Sequence, residues 1–265
     1  MSGLSELFSA LWSDYAAITP QAQAISALLA GRGDHVHNDH IALRTFGLEG
    51  VDIEDLDRAF VGAGYEPIEH YEFPNKKLDA CHYEHPRVGM PKVFISSLRV
   101  DELSEAAGVA IRKLVTQLPP GAAAEPHFVV SGRRWSLDVA TYRALLAESE
   151  YAAWVAAFGF RANHFTVLVN ALESFSGLAE LNEFLVGNGF KLNESGGAIK
   201  GSPEQLLEQS STLADRVTME LDDGEIEIPS CYYEFARRYP KNDGELFSGF
   251  IASSADKIFE STHTR

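Results

Sequence analysis

The chain has 265 residues, 45% of them hydrophobic, and a formal net charge of −16 at pH 7 from 38 acidic and 22 basic residues. Such an acidic surface repels nucleic acid and anionic lipid, so neither is an expected partner. No apolar run approaches the ~20 residues that a membrane span needs, and the N-terminal stretch resembles neither a signal peptide nor a transit peptide, so the sequence predicts a cytoplasmic protein.

The first segment, residues 1–34, is predicted to be a helical addition to the fold. Leu4, Leu7 and Leu11 recur at helical spacing. Thr19-Pro20 then indicates the start of a second helix, with Thr19 as its N-cap. A Gly-Arg-Gly-Asp stretch at residues 31–34 ends that helix.

From His40 the pattern changes to the strict alternation of a strand, His-Ile-Ala-Leu-Arg-Thr-Phe. A helix is predicted near residues 53–64, followed by strands near 65–73, 78–85 and 92–97. Another helix is predicted over residues 101–118. Residues 35–118 therefore form a first predicted module of strand, helix and further strands.

A Pro- and Ala-rich stretch at residues 118–126 is the clearest linker, and a helical pattern covers about 138–157. We assign residues 119–159 as a second helical addition. The strand pattern restarts at Asn163-His164, followed by a helix near 174–187 and strands near 197–201, 216–221 and 224–237. Residues 160–240 form the second predicted module.

The two modules share an internal repeat. Leu-Asp-Arg-Ala-Phe-Val-Gly-Ala-Gly-Tyr (56–65) matches Leu-Asn-Glu-Phe-Leu-Val-Gly-Asn-Gly-Phe (181–190) at a leucine, a valine, two glycines and an aromatic residue. In each copy, a histidine that opens a strand, His40 or His164, lies about 24 residues before the second glycine. We therefore predict an α+β fold of two related βαβββ-type modules in a single metalloenzyme domain, residues 1–265.

The stretch His-Val-His-Asn-Asp-His (35–40) fits two different metal sites. Taken literally, it is the H-x-H-x-D-H motif of metallo-β-lactamase-like hydrolases, with His35, His37 and Asp39 at a dinuclear zinc site. That fold needs strands before the motif, whereas this chain begins with helices. The repeat instead pairs His40 with His164, and two histidines plus a carboxylate make the facial triad of non-heme Fe(II) oxygenases.

The carboxylate of such a triad should lie on a late strand of the second module. Glu234 lies in the aromatic run Ile-Pro-Ser-Cys-Tyr-Tyr-Glu-Phe (228–235), where an unpaired carboxylate is costly. Glu227 is the alternative, in a stretch that alternates like a half-exposed strand. We favour Glu234, and the sequence leaves Glu227 open.

Two cationic positions are candidates for binding substrate. His40 and Arg44 share one strand face, so Arg44 should point into the cavity of the metal, where a substrate carboxylate would bridge the two cations. Lys77 is a candidate for binding a second substrate carboxylate, although a solvated turn is the simpler interpretation of Lys76-Lys77. Arg237-Arg238 is predicted to be a solvated strand end. Cys81 and Cys231 are predicted to be ordinary buried thiols.

Five stretches in order resemble the DUF1338 family, which is associated with 2-oxoadipate dioxygenase/decarboxylase activity. They are residues 38–46, 71–78, 163–166, 228–235 and 255–262. The resemblance implies a core similar to the vicinal oxygen chelate superfamily, in which paired modules form a cupped mixed sheet around a metal. It also implies that His40, His164 and Glu234 are the metal ligands and that Arg44 binds substrate.

The resemblance further implies an Fe(II)-dependent enzyme of lysine catabolism that converts 2-oxoadipate and O2 to 2-hydroxyglutarate and CO2. A similar 2-oxo acid is the alternative substrate, because the chain is shorter than the enzymes with that activity and its substrate-selecting loops can differ. Zn, Ni or Mn are metals it could hold as isolated. A metal-dependent hydrolase, a glyoxalase-like isomerase and a non-catalytic metal- or small-molecule-binding protein remain alternatives. Oligomeric state and the roles of His35 and His37 stay open.

Overall fold

The computed structural model describes residues 2–262. Its helices are α1 (Ser2–Ala17), α2 (Pro20–Gly31), α3 (Ile53–Leu56), α4 (Arg58–Val61), α5 (Glu105–Val115), α6 (Val139–Glu148), α7 (Glu150–Phe158), α8 (Leu178–Gly187) and α9 (Ala252–Ile258). Its strands are β1 (Asn38–Phe46), β2 (Glu66–Phe73), β3 (Leu78–Glu84), β4 (Lys92–Leu98), β5 (Ala162–Leu168), β6 (Lys200–Ser202), β7 (Leu207–Ser211), β8 (Arg216–Leu221), β9 (Gly224–Pro229) and β10 (Tyr232–Arg238).

One mixed sheet of eight strands organises the fold, in the order β2-β3-β4-β1-β5-β10-β7-β6. At its centre β1 pairs antiparallel with β5. On one side β4 pairs parallel with β1, and on the other β10 pairs parallel with β5, so the two halves have the same order. The predicted α+β architecture with a mixed sheet is confirmed. The module bounds 35–118 and 160–240, and the two helical additions, stay predictions.

Helices pack against the central strands. Helix α1 packs on β5, α2 on β10 and α7 on β1. Residues Tyr151–Phe158 of α7 are all buried, as expected for a helix that is hydrophobic on every side. This burial brings Tyr151 and Trp154 of α7 against Arg44 of β1, at the edge of the candidate site.

Three local predictions need correction. Thr19 occupies the N-cap position of α2, but its side chain makes no capping hydrogen bond. The predicted helix near 53–64 is two short helices, α3 and α4. The predicted strand 224–237 is two strands, because β9 pairs with β8 in a separate hairpin and the chain then enters the main sheet as β10.

Strand β7, Leu-Glu-Gln-Ser-Ser, was not predicted. Its polar residues lack the apolar alternation and β-branched side chains that indicate a strand. It forms because its backbone pairs with β10, a partner more than twenty residues away along the chain. Tertiary pairing therefore decides this element.

The C-terminal segment packs on the sheet. Helix α9 contacts β2, β6 and β7, and a 3-10 turn at Phe259–Thr262 follows it. Within residues 2–262, the structure contains no helix whose length and apolar character would allow it to span a membrane.

Candidate metal centre

The three predicted ligand side chains meet on adjacent strands. His40 on β1 lies opposite Thr166 on β5, which lies opposite Glu234 on β10, so one row crosses the sheet. His164 is two residues from Thr166 and shares its face. His40 Nε2 is 3.6 Å from Glu234 Oε1, and His164 Nε2 is 3.2 Å from Glu234 Oε2. These three buried side chains offer donor atoms that all lie within 4.8 Å of one another.

Both histidines are oriented by the residue that precedes them. His40 Nδ1 is 2.8 Å from Asp39 Oδ1, and His164 Nδ1 is 3.1 Å from Asn163 Oδ1. Because these oxygens accept a hydrogen bond from the ring, the proton resides on Nδ1 and the lone pair on Nε2. Each imidazole therefore presents the Nε2 atom that a metal requires.

The electrostatics of the cluster favour a bound cation. Burial raises the pKa of Glu234, and burial together with His40 and Arg44 lowers the pKa of His164 well below its ordinary value. His164 is thus neutral at pH 7, the form that binds metal. Gln209 donates a 2.6 Å hydrogen bond to Glu234 Oε1, but Oε2 has no hydrogen-bond partner. Two imidazoles and an under-satisfied carboxylate fit a divalent transition metal.

The first module supplies one donor where the second supplies two. Lys92 of β4 pairs with His40 as Tyr232 of β10 pairs with His164. Two residues further on, Phe94 therefore occupies the position that corresponds to Glu234. Phe94 lines the cavity at the cluster but has no ligand atom. A metal bound here would therefore have three protein ligands, one from the first module and two from the second, and its other coordination positions would be open to further ligands.

An arginine that was predicted to be solvated supports the cluster instead. Arg238 is 4% exposed and forms a bidentate ion pair with Asp39, with Nε–Oδ2 at 2.6 Å and Nη2–Oδ1 at 2.9 Å. Burial would raise the pKa of Asp39, but Arg238 and His40 together lower it below its ordinary value. The prediction of a solvated strand end is wrong for Arg238, because its partner lies 199 residues earlier in the chain.

We expect Asp39→Asn to weaken metal binding by about 10- to 100-fold, because the neutral amide orients the His40 ring less strongly and makes it a poorer donor. Zn(II) titration of the apo protein by calorimetry measures this. Asp79→Asn is the matched control, since Asp79 forms a similar two-point ion pair with Arg99 at the surface. Equal Zn(II) affinities for the two variants would contradict the positioning role of Asp39.

Arg44 is buried among aromatic rings. It is 2% exposed, and its guanidinium carbon lies 5.1 Å from the ring centroid of Tyr151 and 5.3 Å from that of Trp154. Its Nε has no hydrogen-bond partner. Aromatic rings hold the side chain in place, and the unpartnered Nε leaves a donor that an anion could use.

Arg44 and Lys77 line one cavity of about 380 Å³. Lys77 lies at its rim, where Nζ donates to the carbonyl oxygen of Glu102 at 2.6 Å. The cavity lies beside the metal cluster, because Phe259 forms part of the wall of both spaces. Two cationic side chains therefore line a cavity next to the two-histidine, one-carboxylate cluster.

The remaining candidates lie apart from the cluster. His35 and His37 are exposed, and Asp39 engages Arg238 rather than a second metal position. Glu227 is exposed on the β8–β9 hairpin, where it pairs with Arg216. The geometry therefore disfavours the dinuclear arrangement. Cys81 and Cys231 are buried and free, as predicted.

The two βαβββ halves pair their central strands, and a two-histidine, one-carboxylate cluster lies where those strands meet. The fold prediction is confirmed by a glyoxalase superfamily structure from Ralstonia eutropha, which shares the fold at a TM-score of 0.76 and 21% identity, over 92% of this chain and 84% of that one. The chain belongs to the 2-oxoadipate dioxygenase/decarboxylase family, whose model matches residues 3–118 and 127–244.

Relatives support the same assignment. A rice protein named 2-oxoadipate dioxygenase/decarboxylase, chloroplastic/amyloplastic, is 38% identical over 94% of this chain and 75% of its own length. The crystal structure of rice hydroxyglutarate synthase with 2-oxoadipate has a TM-score of 0.93 at 36% identity, covering 98% of this chain and 92% of that one. A structure from Shewanella frigidimarina with a provisional hydrolase description has a TM-score of 0.89 at 53% identity, covering 94% and 97%.

Proposed function

We propose that this protein is an Fe(II)-dependent dioxygenase/decarboxylase that converts 2-oxoadipate and O2 to 2-hydroxyglutarate and CO2. The observation that supports this most directly is the His40–His164–Glu234 cluster next to the Arg44 guanidinium, whose Nε has no hydrogen-bond partner. The names of its family and of its rice relative support the same reaction. The equation balances, since the six-carbon diacid plus O2 has the atoms of the five-carbon hydroxy diacid plus CO2.

In this proposal the metal would be held by His40 Nε2, His164 Nε2 and one Glu234 oxygen. Asp39 and Asn163 fix the orientation of the two imidazole rings. Bound Fe(II) would supply the electrons for O2 activation and open positions for a 2-oxo acid. Because Zn, Ni and Mn also accept imidazole and carboxylate ligands, the metal found on isolation need not be the catalytic one.

Arg44 binds and orients the substrate in this proposal. Its planar fork matches a carboxylate bidentately, and an anion between Arg44 and the metal removes the repulsion between the two cations. Lys77, in the same cavity, is placed to attract the second carboxylate of a diacid. The rings of Tyr151 and Trp154 exclude water from the guanidinium and so strengthen its interaction with the acid.

A metal-dependent hydrolase remains the second candidate, because the Shewanella frigidimarina relative has a provisional hydrolase description. A hydrolase would turn over without consuming O2, whereas the proposed reaction consumes one O2 per CO2 released.

The deciding experiment loads the apo protein with Fe(II) without oxygen, adds 2-oxoadipate and measures O2 uptake and CO2 release. We expect stoichiometric uptake and release, with 2-hydroxyglutarate as product. The same protein loaded with Zn(II) is the control and should consume no O2. Absence of O2 uptake with 2-oxoadipate and with a panel of other 2-oxo acids would refute the dioxygenase assignment.

A further inference from the structure

The space beside the metal ligands is too small for the proposed substrate. The cavity that contacts His40, His164 and Glu234 has a volume of about 20 Å³. That volume holds about one water molecule, whereas a six-carbon diacid needs several times as much. Part of the cavity wall must therefore move before an acid can reach the ligands.

The wall consists of strand residues and of residues from the C-terminal segment. The strand residues are held by backbone pairing on both sides within the sheet. The C-terminal residues lie outside the sheet and are Phe250, Ala255, Ile258 and Phe259. Among the described residues, Phe259 alone also lines the 380 Å³ cavity of Arg44. Displacing its ring would join the two spaces.

The backbone on both sides of Phe259 is anchored. Asn193 Nδ2 donates to the carbonyl oxygen of Lys257 at 3.1 Å and to Ser261 Oγ at 2.9 Å. Ser261 Oγ also lies 2.7 Å from Ser211 Oγ on β7. The Phe259 ring itself is half-buried, and its centroid lies 5.5 Å from that of Phe73 and 5.6 Å from the guanidinium carbon of Arg44. Rotation of the ring therefore disrupts fewer interactions than displacement of the segment.

We propose that the Phe259 side chain is a gate between the Arg44 cavity and the metal cavity, and that it determines which 2-oxo acids reach the metal. This inference rests on the proposed function. An unbranched acid passes the rotated ring, whereas an acid with a bulky group next to the keto carbon collides with it. Replacing Phe259 with alanine removes the phenyl ring and leaves a space of that size between the two cavities. Phenylpyruvate, a 2-oxo acid that bears a benzyl group, has the shape to fill it.

The test compares phenylpyruvate with 2-oxoadipate in Phe259→Ala. Binding of each acid is measured by calorimetry on Zn(II)-loaded protein, and O2 uptake is measured on Fe(II)-loaded protein. Phe184→Ala is the matched control, because Phe184 is also half-buried, lies 5.1 Å from an arginine (Arg32) and contacts another phenylalanine (Phe175) at 5.3 Å. It lines neither cavity.

We expect the affinity ratio of phenylpyruvate to 2-oxoadipate to rise by ~10-fold or more in Phe259→Ala and to stay unchanged in Phe184→Ala. Zn(II) affinity should be that of the wild type. If Phe259→Ala does not fold, the same ratio is measured in Phe259→Leu, where a smaller rise is expected. The gate alone would be overturned if the wild type binds 2-oxoadipate and the folded variant has an unchanged affinity ratio of phenylpyruvate to 2-oxoadipate. A wild type that binds no 2-oxo acid would overturn the proposed function and the gate with it.

Discussion

Glu234→Gln is expected to lower Zn(II) affinity by about 100-fold or more without loss of the fold, because a neutral amide is a far poorer metal ligand than a carboxylate. Glutamine has nearly the same volume as glutamate, so the buried site is not left with a cavity. Calorimetric Zn(II) titration measures the affinity. Glu227→Gln is the matched control, since it removes the competing carboxylate from an exposed ion pair with Arg216, an interaction worth roughly 0–1 kcal/mol.

The apo forms should also differ in their pH dependence. Burial raises the pKa of Glu234, so the folded apo protein holds this proton more tightly than the unfolded chain does. The stability of the apo wild type should therefore fall as the pH rises above the ordinary glutamate pKa. Glu234→Gln lacks this group and should lose that part of the slope. Urea unfolding across pH 4–8 measures this pH dependence of stability. In the Zn(II) titration, an affinity of Glu234→Gln equal to that of Glu227→Gln would exclude Glu234 as a ligand.

Arg44→Met is expected to lower the affinity for 2-oxoadipate by about 100-fold or more, in line with the roughly 2–5 kcal/mol that truncating a buried charge pair costs. Methionine is flexible enough to fill the space between Tyr151, Trp154 and Phe259. Zn(II) binding should be retained or slightly strengthened, because a cation near His164 is removed. Calorimetry of the acid on Zn(II)-loaded protein measures the effect.

Two further variants sharpen the test of Arg44. Arg44→Lys keeps the charge but loses the planar fork, so an intermediate loss of affinity would indicate bidentate binding. Arg32→Met is the matched control, because Arg32 also lies over two rings, those of Phe175 and Phe184, but outside both cavities. Wild-type affinity in Arg44→Met would refute its role as the carboxylate-binding residue.

Local patterns in the sequence were enough to select the candidates that meet in space. His40 and Arg44 follow from the alternation of one strand, and His164 follows from the repeat that joins the two modules. Each signal lies within a stretch of ten to thirty residues, over which side-chain direction is set by the backbone period itself. The core strands and most helices were predicted for the same reason.

Other features depend on which strands become neighbours. Glu227 and Glu234 are separated because β9 belongs to the hairpin with β8, whereas β10 belongs to the main sheet. Three further features arise from contacts between distant segments. They are the ion pair of Asp39 with Arg238, the presence of Phe94, which has no ligand atom, at the position that corresponds to Glu234, and the location of Phe259 between two cavities. No local period encodes these contacts.

By itself, the sequence determined the two-module α+β plan, the family and the set of residues with the chemistry for a metal and an acid. Only the tertiary structure decided which carboxylate joins His40 and His164, how Asp39 and Asn163 orient the two rings, and how little space the closed site leaves. The physical reason is that hydrophobic periodicity specifies the face on which a side chain lies, whereas distances and cavities depend on strand register and packing across the whole sheet.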